Sequence, residues 1–510
     1  MAATIAVLAD MHLPRSPSAA QWAALEWALG EVVVANADLI VVAGDVTACG
    51  SADAARRFRA RLDATGLPFL ITPGNSDLRS ADEADAVAET LLTPLSFTAG
   101  IRVVVADSSP GAIALADRER LDQDCAEGTV LVTHMPPETL DAESAAWLDA
   151  WARQRPVDMI VVGHRHRDAT FPVGSAVAHQ TRGLDPDKAI GGPPAAMVLE
   201  SRGGAWSRRD IGWPEGDAST WADAERDEFL SLLGISCMGD GCDGLRQARE
   251  LGVRRVELRA SAAEIPRPEL MDAVAAWRDL GGETLSWHMP NVGWASLHGD
   301  ATELQAWRDS LEAALAVGAD ALTVHVPRVP VGLMRHGSEA WHGFSDFFAR
   351  ELAPAAEAGL TIGIENLHMN RGEPDSDERG FGYLPDECLA WIAEVRARLD
   401  GAEVGMLLDV GHARNNAPYS SEFTLSAWYE RVGHEIVGYH VHQVVLTDGA
   451  LANHQPIESA FGPLISFSSF LWAWRAGQLR HAPMYLEVRG SAGREASLDA
   501  FRGMLRWARQ

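Results

Sequence analysis

The C-terminal part of the chain repeats one pattern eight times, a short apolar strand followed by a helical segment. The predicted strands are Leu230–Ser236, Arg254–Arg259, Thr284–His288, Ala321–Val326, Leu360–Asn366, Val404–Val410, Ile436–His442 and Met484–Val488. Strands that alternate with helices pair in parallel, because each helix carries the chain back to the start of the next strand. Eight such units are the number that closes into a (β/α)8 barrel. We therefore predict a barrel over residues 225–510.

The N-terminal part also alternates short apolar strands with helices such as Ala19–Ala35 and Ala52–Ala64. Its predicted strands are Thr4–Ala9, Leu39–Ala43, Pro68–Thr72, Arg102–Ala106, Thr129–Thr133, Met159–Val162, Phe171–Gln180 and Ala195–Leu199. This pattern predicts an α/β domain over residues 1–202. Residues 203–224 are rich in Gly, Ser, Pro and charge, which is typical of a linker between domains.

The charge balance limits the partners that the chain can bind. The 510 residues carry a formal net charge of −28, and the acidic excess extends over both predicted domains. Broad binding to a nucleic-acid backbone needs many Lys and Arg residues, so nucleic acid is not an expected partner. Lys188 is the only lysine of the chain. Either a GC-rich genome has replaced lysine by arginine, or this lysine has a chemical role.

Cysteine use and hydropathy point to the cytoplasm. The five cysteines form no CxxC pair, and the short apolar start runs straight into Asp10, so we expect neither a disulfide framework nor a signal peptide. No apolar stretch has the roughly 18 residues of a membrane span. These observations predict a cytoplasmic protein with no membrane partner.

Polar residues follow the predicted strands of the N-terminal domain, where active sites of open α/β sheets collect. These residues are Asp10, His12, Asp45, Asn75, His134, His164 and His166. Two carboxylates, four imidazoles and an amide suit two Mn, Fe or Zn ions that share one carboxylate. Such a pair activates a hydroxide and holds a phosphoryl group for in-line attack. The pattern therefore predicts phosphoester hydrolysis.

This ordered set, DxH…GD…GN…H…GHxH, resembles the calcineurin-like binuclear metallophosphoesterases over about residues 1–200. The resemblance implies an α/β sandwich and catalytic roles for Asp45, Asn75 and His134. It further implies one metal held by Asp10, His12, Asp45 and His166, and a second held by Asp45, Asn75, His134 and His164. The family usually has a histidine after the asparagine, which assists the leaving group. Ser76 stands there in this chain.

Three basic residues near the GHxH motif are candidate phosphate contacts. Arg165 and Arg167 flank the histidines, and Lys188 lies in the following loop, residues 183–194. A lysine binds phosphate as a point charge. A solvated loop lysine is the alternative interpretation of Lys188.

Ligand-type residues also end the barrel strands, at the face where barrel enzymes have their active sites. Glu365, Asp409 and Glu487 interrupt apolar strands, and buried carboxylates need partners or metals. His440 and His442 point to the same side of one strand, and we favour His442 as a ligand because it lies nearer the mouth. Candidate substrate contacts are Glu257, Arg489 and His440, with a place in the core or behind the ligands as the favoured alternative for His440.

The motifs Glu365-Asn366, Leu408–His412 and Leu486–Val488 resemble the xylose-isomerase-like barrels, which include sugar isomerases, sugar epimerases and the endonuclease IV group. In the isomerase and epimerase members, the resemblance implies one divalent metal held by Glu365, Asp409, His442 and Glu487. Glu365 and Glu487 would then also be catalytic, because they move protons at a carbon beside a carbonyl.

Comparison with the endonuclease IV group implies up to three zinc ions in the barrel. His288 and His325 with Glu365 match one zinc site, and His412 with His454 matches part of the third. The aspartate expected two residues before His454 is Ala452 here. Asp448 and Asn453 are candidate substitutes for it, although neither is in register. Alternatively, His288 and His325 bind substrate hydroxyls. We expect one to three Mn, Co, Mg or Zn ions in this domain.

The leading hypothesis is a bifunctional metalloenzyme. The N-terminal domain hydrolyses a phosphomonoester or phosphodiester, and the barrel isomerises or epimerises a sugar or polyol. A small phosphorylated molecule derived from a sugar or polyol is the expected partner. One alternative makes both domains phosphoesterases, with a zinc-dependent barrel like endonuclease IV. Another makes the barrel a non-catalytic binding or scaffold module.

Overall fold

The structure, a computed structural model, describes residues 3–98, 100–298 and 301–506. The chain divides into two compact units. The first contains the described residues up to Asp217 and also a later segment, Phe461–Trp472. The second contains Ala218–Ala460 and the described residues from Ala473 onward. The first unit is therefore discontinuous in sequence.

The first unit contains eleven strands in two sheets. The strands are β1 Ala3–Leu8, β2 Leu39–Ala43, β3 Phe69–Thr72, β4 Ser96–Thr98, β5 Arg102–Val105, β6 Thr129–Val132, β7 Val157–Val162, β8 Ala169–Val173, β9 Ala176–Gln180, β10 Ala195–Arg202 and β11 Ala205–Gly212. One sheet has the order β11-β10-β1-β2-β3, and the other has the order β4-β5-β6-β7-β9-β8. Neighbouring pairs among β1, β2 and β3, and among β5, β6 and β7, are parallel.

The two sheets form the inner layers of an α/β sandwich. A core that includes Val7, Val41, Val105 and Val161 joins residues of both sheets, and a separate apolar core packs helices against the outer side of each sheet. The central strands are apolar at nearly every position because both of their faces are buried. The helices are α1 Ala20–Val34, α2 Ala52–Thr65, α3 Ala84–Leu91, α4 Leu115–Asp124 and α5 Ala142–Gln154.

Two local predictions in this unit are wrong. The segment 171–180 is not one strand but the greater part of a hairpin, because the chain reverses at Gly174 between β8 and β9. The predicted linker 203–224 contains β11, which pairs with β10 along its whole length. Gly203 and Gly204 have φ values of 61° and 85°, the positive values that two-residue hairpin turns require. These glycines therefore form a hairpin turn and do not mark a domain boundary.

The second unit is a closed barrel of eight parallel strands. Including a two-stranded hairpin, its strands are β12 Leu233–Ser236, β13 Arg255–Arg259, β14 Thr284–His288, β15 Ala321–His325, β16 Thr361–Glu365, β17 Val404–Asp409, β18 Ile436–Val441, β19 Gln443–Thr447, β20 Ala450–Gln455 and β21 Met484–Leu486. The barrel order is β12 to β18 followed by β21. The predicted fold class, an α/β sandwich followed by a (β/α)8 barrel, is confirmed.

Helices surround the barrel strands. They are α6 Asp223–Leu232, α7 Gly241–Leu251, α8 Arg267–Arg278, α9 Trp294–Leu297, α10 Ala301–Ala316, α11 Glu339–Glu357, α12 Pro385–Arg398, α13 Val410–Arg414, α14 Leu425–Val432 and α16 Ser491–Arg506. One more helix, α15 Ser468–Arg475, begins in the segment that belongs to the first unit and ends in the second. The first predicted strand, 230–236, is wrong at its start, because residues 230–232 end α6. In the part of the chain that the structure describes, no helix combines the length and apolarity needed to cross a bilayer.

The hairpin β19–β20 has no counterpart in the sequence prediction. It follows β18 directly, pairs antiparallel, and turns at Asp448 and Gly449, both of which have positive φ. Its second strand carries His454. The hairpin therefore brings a histidine from outside the eight barrel strands toward the end of the barrel where β18 finishes.

Candidate metal centres

The structure brings together the predicted ligands of the N-terminal unit at the C-terminal ends of β1, β2, β3, β6 and β7. Two groups form, each with one ligand atom per residue and all of these atoms within 4.8 Å of one another. The first group is Asp10, His12 and His166, and the second is Asp45, His134 and His164. These groups match the division into two metal sites that the family resemblance implies.

In the first group, His12 Nε2 lies 3.3 Å from His166 Nε2, and the two rings stack with centroids 5.0 Å apart. Burial, together with the positive charge of Lys188, lowers the pKa of both imidazoles well below the usual value. Two neutral imidazoles therefore direct ring nitrogens at one point, beside the Asp10 carboxylate. Neutral imidazole nitrogens and a carboxylate oxygen are donors that bind divalent cations.

In the second group, His134 Nε2 lies 3.3 Å from Asn75 Oδ1. His134 Nδ1 donates to the backbone oxygen of Ala43 over 2.9 Å, which fixes the tautomer and leaves Nε2 as the ligand atom. The pKa of His164 is lowered to about 4, mainly by burial, so this ring is neutral. For His134, the carboxylate of Asp45 outweighs burial and raises the pKa to about 9. The amide oxygen of Asn75 completes the predicted set.

Asp45 joins the two groups. Its Oδ2 atom lies 3.3 Å from His12 Nε2 and 3.4 Å from His134 Nε2, while its Oδ1 atom accepts the Ser76 N–H over 2.8 Å. Burial raises the pKa of this carboxyl, but His134 and His12 outweigh burial and hold the pKa well below its usual value. Asp45 is thus an ionised carboxylate between two ligand groups, as a shared metal ligand must be.

The backbone at these ligands is unusual. Five of them have positive φ: 50° at Asp10, 44° at His12, 52° at Asp45, 73° at His164 and 52° at His166. Non-glycine residues adopt such values rarely, and these values cluster at functional sites. A Cβ at Gly74 would lie only 2.1 Å from the Asp45 backbone nitrogen, so the loop after β3 approaches Asp45 closely. The residues present fit two divalent cations.

Ser76 does not face the ligand groups with its hydroxyl. The side chain is fully buried, and Oγ donates to the Thr47 backbone oxygen over 2.6 Å. Sequence reasoning missed the next residue, Asp77. Its carboxylate accepts backbone N–H groups of Val46, Thr47 and Gly74 at 2.8 to 3.2 Å, so it ties the loop after β2 to the loop after β3.

The predicted phosphate contacts differ in their placement. Lys188 Nζ lies 3.3 Å from Oδ2 of the buried Asp185, and only 24% of its side chain is exposed. The interpretation as a freely solvated loop lysine is therefore wrong. Arg165 is more exposed and lies 3.7 Å from Glu138 Oε1. Arg79, which was not predicted, acts with its charge on His12 and donates to the Ala48 backbone oxygen.

In the barrel, a first ligand group follows β14, β15 and β16. His288 Nε2 and His325 Nε2 lie 3.1 and 2.9 Å from the same atom, Glu365 Oε2. His288 Nδ1 is 3.0 Å from the Met289 backbone oxygen, which leaves Nε2 to face the carboxylate. The structure places both histidines together with Glu365, as the endonuclease IV comparison implies.

A second ligand group follows β17, β18 and β21. His442, His454 and Glu487 have ligand atoms within 4.8 Å of one another, and His442 Nε2 lies 3.1 Å from Asp409 Oδ1. His412 Nδ1 is 3.4 Å from Asp409 Oδ2. The barrel mouth thus gathers all the predicted ligands: His288, His325, Glu365, Asp409, His412, His442, His454 and Glu487. These carboxylate and imidazole donors fit divalent cations.

Asp409 is held by its surroundings as well as by its strand. The side-chain oxygen of Asn366 accepts the Asp409 N–H over 2.9 Å, and its amide nitrogen donates to the Asp409 backbone oxygen over 3.2 Å. A Cβ at Gly411 would lie 1.8 Å from His442 Cε1. The motif Leu408–His412 therefore positions the carboxylate and leaves room for the imidazole above it.

His440 and Glu257 lie deeper than their predicted roles as substrate contacts require. Both are fully buried. His440 Nε2 is 2.9 Å from Glu257 Oε1, and Nδ1 is 3.1 Å from Glu365 Oε1 and 3.1 Å from Glu487 Oε2. Glu257 also accepts hydrogen bonds from Ser236 and Thr323. Glu257 therefore supports the ligands from inside the barrel, while His440 also has a ligand atom within 4.8 Å of ligand atoms of His288 and Glu487.

The remaining barrel predictions have mixed outcomes. Arg489 is exposed three residues after the end of β21, and its backbone N–H donates to the His454 backbone oxygen over 3.2 Å. Asp448 lies in the exposed turn of the β19–β20 hairpin, and Asn453 accepts from Asn415 over 2.9 Å. Neither residue takes the place of the missing aspartate at Ala452, because the hairpin turn carries Asp448 outward.

Two family models match the chain. Residues 245–510 match the model described as xylose isomerase-like TIM barrel, which is more than half of the sequence. The chain belongs to the xylose isomerase-like TIM barrel family. Residues 3–168 match the model described as calcineurin-like phosphoesterase. Both resemblances seen in the sequence motifs are confirmed.

Individual relatives of this xylose isomerase-like chain are distant. A D-tagatose 3-epimerase-like protein is 18% identical, covering 55% of this chain and 99% of its own, with a TM-score of 0.41. The 3-keto-D-glucoside 4-epimerase of E. coli is 15% identical, covering 55% and 98%, with a TM-score of 0.37. The uncharacterized protein MJ1311 of Methanocaldococcus jannaschii is 25% identical over 135 residues, which span 26% of this chain and 41% of that relative.

Sequence reasoning missed one further charged residue at the barrel mouth. Arg259, the last residue of β13, is hydrogen-bonded to Glu487 Oε1 and lies 3.7 Å from Glu257 Oε1. Its pKa is raised, because Glu487 and Glu257 outweigh the opposing effect of burial. The available signal was its position at the end of a predicted strand, although β13, Arg-Val-Glu-Leu-Arg, is less apolar than the strands that end near Glu365 and Glu487.

Proposed function

We propose that the chain is a bifunctional metal-dependent enzyme whose N-terminal unit hydrolyses phosphoesters. The observation that carries the proposal is Asp45, whose Oδ2 atom is 3.3 and 3.4 Å from histidines of two separate ligand groups. When bound there, a pair of Mn, Fe or Zn ions supplies positive charge to the phosphoryl oxygens and acidifies water. Asn75 and His134 complete the second group and are expected to face the reacting phosphoryl group.

The protein's own residues prepare this site in two ways. Asp10, His12 and His166 present their donor atoms from strand ends, and buried glycine-containing loops hold them at fixed positions. His134 Nδ1 donates to the Ala43 backbone oxygen, which orients the ring so that Nε2 faces the second ligand group. Catalysis by positioning and electrostatics needs this kind of preorganisation.

Asp45→Asn tests the proposal on the full-length protein. Asparagine keeps the shape but removes the shared negative charge, so we expect hydrolysis of p-nitrophenyl phosphate and of bis(p-nitrophenyl) phosphate to be lost. The matched control is Asp63→Asn, at an exposed position of α2, which should leave both rates unchanged. Full activity of Asp45→Asn in a folded protein would contradict a two-metal mechanism.

For the barrel we propose metal-dependent isomerisation or epimerisation of a sugar or polyol. Glu365 and Glu487 are both buried at the mouth and meet at His440, 3.1 Å from each, while Asp409 and His442 lie beside them. A Mn, Co, Mg or Zn ion held there polarises a carbonyl. A carboxylate on either side of the substrate carbon then removes or returns the proton.

Proton exchange tests the barrel proposal. In deuterium oxide, a metal-loaded protein that isomerises ketoses such as D-fructose or D-tagatose exchanges hydrogen for deuterium at the carbon beside the carbonyl, which NMR detects. We expect Glu365→Gln and Glu487→Gln to abolish the exchange and Glu357→Gln, at an exposed position of α11, to preserve it. No exchange with any ketose would count against the proposal.

A second candidate for the barrel is a zinc-dependent phosphodiesterase. The observation that favours it is the separate group of His288 and His325 on Glu365, because one cation does not need eight ligands. This candidate predicts two or three zinc ions in the barrel and cleavage of an oligonucleotide with an abasic site. A single bound ion and an intact oligonucleotide would rule it out.

We also propose a cytoplasmic location and a small phosphorylated substrate. No disulfide joins any of the five cysteines in the part of the chain that the structure describes, as expected in a reducing compartment. The acidic chain, with a net charge of −28, favours a small molecule bound by metals over a nucleic acid bound by a basic surface. Fractionation of cells that produce the protein tests the location.

A further inference from the structure

Lys188 lies on a loop that is tied at both ends to ligand-bearing segments of the phosphoesterase site. The Leu184 N–H donates to the Ala9 backbone oxygen over 3.0 Å, immediately before Asp10. The Ile190 N–H donates to the His166 backbone oxygen over 2.8 Å. The loop between them therefore spans from one ligand of the first group to another.

A buried polar network fixes the shape of this loop. Gln21 Nε2 donates to Asp185 Oδ1 over 3.2 Å and to Asp187 Oδ2 over 2.9 Å, and Lys188 Nζ pairs with Asp185 Oδ2 over 3.3 Å. Gln21 and both aspartates are almost fully buried. Burying such groups costs free energy unless they are paired, so the network favours the loop conformation in which Lys188 pairs with Asp185.

A distant segment of the chain braces the same loop. The Ser466 N–H donates to the Asp187 backbone oxygen over 3.0 Å, and the Gly191 N–H donates to the Phe461 backbone oxygen over 3.0 Å. Both contacts lie within the first compact unit, to which Phe461–Trp472 belongs. We call this segment the brace. The position of Lys188 thus depends on residues encoded after seven of the eight barrel strands.

The electrostatic effect of Lys188 reaches the ligands themselves. After burial, its charge is the next cause that lowers the pKa values of His12 and His166, and it partly offsets the burial that raises the pKa of Asp10 to about 7. In a chain with a net charge of −28, an anionic substrate needs local positive charge beyond the metals. A lysine ammonium supplies a compact charge with three donors that suits phosphoryl oxygens.

We propose that Lys188, held by the brace, binds a non-bridging phosphoryl oxygen and selects dianionic phosphomonoesters over phosphodiesters. The inference rests on the proposed phosphoester hydrolysis and names its substrate class. A phosphomonoester carries about −1.5 to −2 charge at pH 7, whereas a diester carries one charge. Lys188 would be a third cationic centre beside the two metals. It would stabilise the additional negative charge that a monoester carries and a diester lacks.

The single lysine makes a direct binding test possible. Reductive methylation with ¹³C-formaldehyde labels only Lys188 and the N-terminal amine, so the NMR spectrum contains one side-chain signal. We expect inorganic phosphate to shift the Lys188 signal of the metal-loaded, full-length protein in a saturable manner, while the N-terminal signal stays unchanged. A Lys188 signal that does not move at phosphate concentrations that inhibit ester hydrolysis would overturn the proposal.

Kinetics of Lys188→Met separate the substrate classes. We expect the KM for p-nitrophenyl phosphate to rise about tenfold or more, the usual effect of losing a charged hydrogen-bond donor. The KM for bis(p-nitrophenyl) phosphate should change much less, and Lys188→Arg should retain most of the monoester selectivity. Equal effects on both esters, or no effect on either, would overturn the proposal. Absence of hydrolysis in the wild-type protein would instead refute the proposed function.

Discussion

The candidate metal centres of the two units are built from the same types of side chain, carboxylates and imidazoles. They differ in the backbone conformation at the ligand residues. In the phosphoesterase unit, Asp10, His12, Asp45, His164 and His166 all have positive φ in tight loops after the strands. In the barrel, most ligands are strand ends or adjoining residues with ordinary backbone. A loop with strained backbone keeps its conformation only if the residues around it pack without clashes. At the end of a strand, by contrast, the pleat of the sheet sets the direction of the side chain. The first site therefore depends on its loops, and the second depends on its strands.

The largest effect should come from adding one methyl group to a loop of the first site. In Gly74→Ala, the new Cβ would lie 2.1 Å from the Asp45 nitrogen and 2.2 Å from Asp45 Oδ1. Displacement of the shared carboxylate should reduce phosphoester hydrolysis at least about a hundredfold. Gly30→Ala is the control, because nothing lies within 4 Å of its Cβ. Unchanged hydrolysis in Gly74→Ala would show that the loop is not a constraint.

The matching change in the barrel is Gly411→Ala. Its Cβ would lie 1.8 Å from His442 Cε1 and 2.4 Å from Nε2. We expect barrel metal affinity to fall by about tenfold to a hundredfold, while phosphoester hydrolysis is retained. Metal analysis by plasma mass spectrometry after dialysis measures this, with Gly503→Ala as the control in open space on α16. Loss of hydrolysis as well would mean that the two sites are not independent.

Glu257→Gln tests whether the metal ligands at the ends of the barrel strands need support from residues buried deeper in the barrel. The substitution removes the charge that holds His440 Nε2 at 2.9 Å, and His440 in turn contacts Glu365 and Glu487. We expect about a tenfold loss of barrel metal affinity, as for other residues that orient metal ligands. Glu250→Gln, at an exposed position of α7, should behave as wild type. Titration with Mn²⁺ in a calorimeter compares the two variants.

The smallest effects should come from helix caps outside both sites. Ser51 Oγ accepts the Ala54 N–H at the start of α2, and the Asp240 carboxylate accepts the Asp243 N–H at the start of α7. Ser51→Ala and Asp240→Ala should each lower the free energy of unfolding by about 1 kcal/mol. Thermal unfolding measures this effect. Metal content and hydrolysis should not change, and a change in either would reveal coupling between local stability and the sites.

Local sequence was sufficient to predict the ligands that end strands, because the end of a strand determines where the next side chains point. His412 and His454 were identified only through the resemblance to the endonuclease IV group. Asp45, His134, Glu365 and Asp409 were identified in this way, and the structure brings each of them into a ligand group. The polar residue that ends β13, Arg259, carried the same signal and was overlooked. The predicted activities and substrate contacts remain predictions.

Features that depend on distant residues were not predictable from local patterns. The turn at Gly203-Gly204 resembles a linker until the pairing of β10 with β11 is known. The sequence makes His440 a candidate substrate contact. Only the three-dimensional barrel shows that its Nε2 atom lies 2.9 Å from Glu257 Oε1. The half-buried position of Lys188 likewise depends on its pairing with Asp185, which in turn accepts a hydrogen bond from Gln21. The sequence of the loop that contains Lys188 does not indicate this burial.

The brace has a consequence for how the protein is made. A ribosome completes residues up to Asp217 long before Phe461 emerges, so the early part of the chain is synthesised without one of its own packing partners. Contacts between residues so far apart in sequence close late, because a long loop must be ordered first. The loop that carries Lys188 is thus finished near the end of translation. A nascent chain stalled before Phe461 lacks the contacts that hold this loop in the full-length protein.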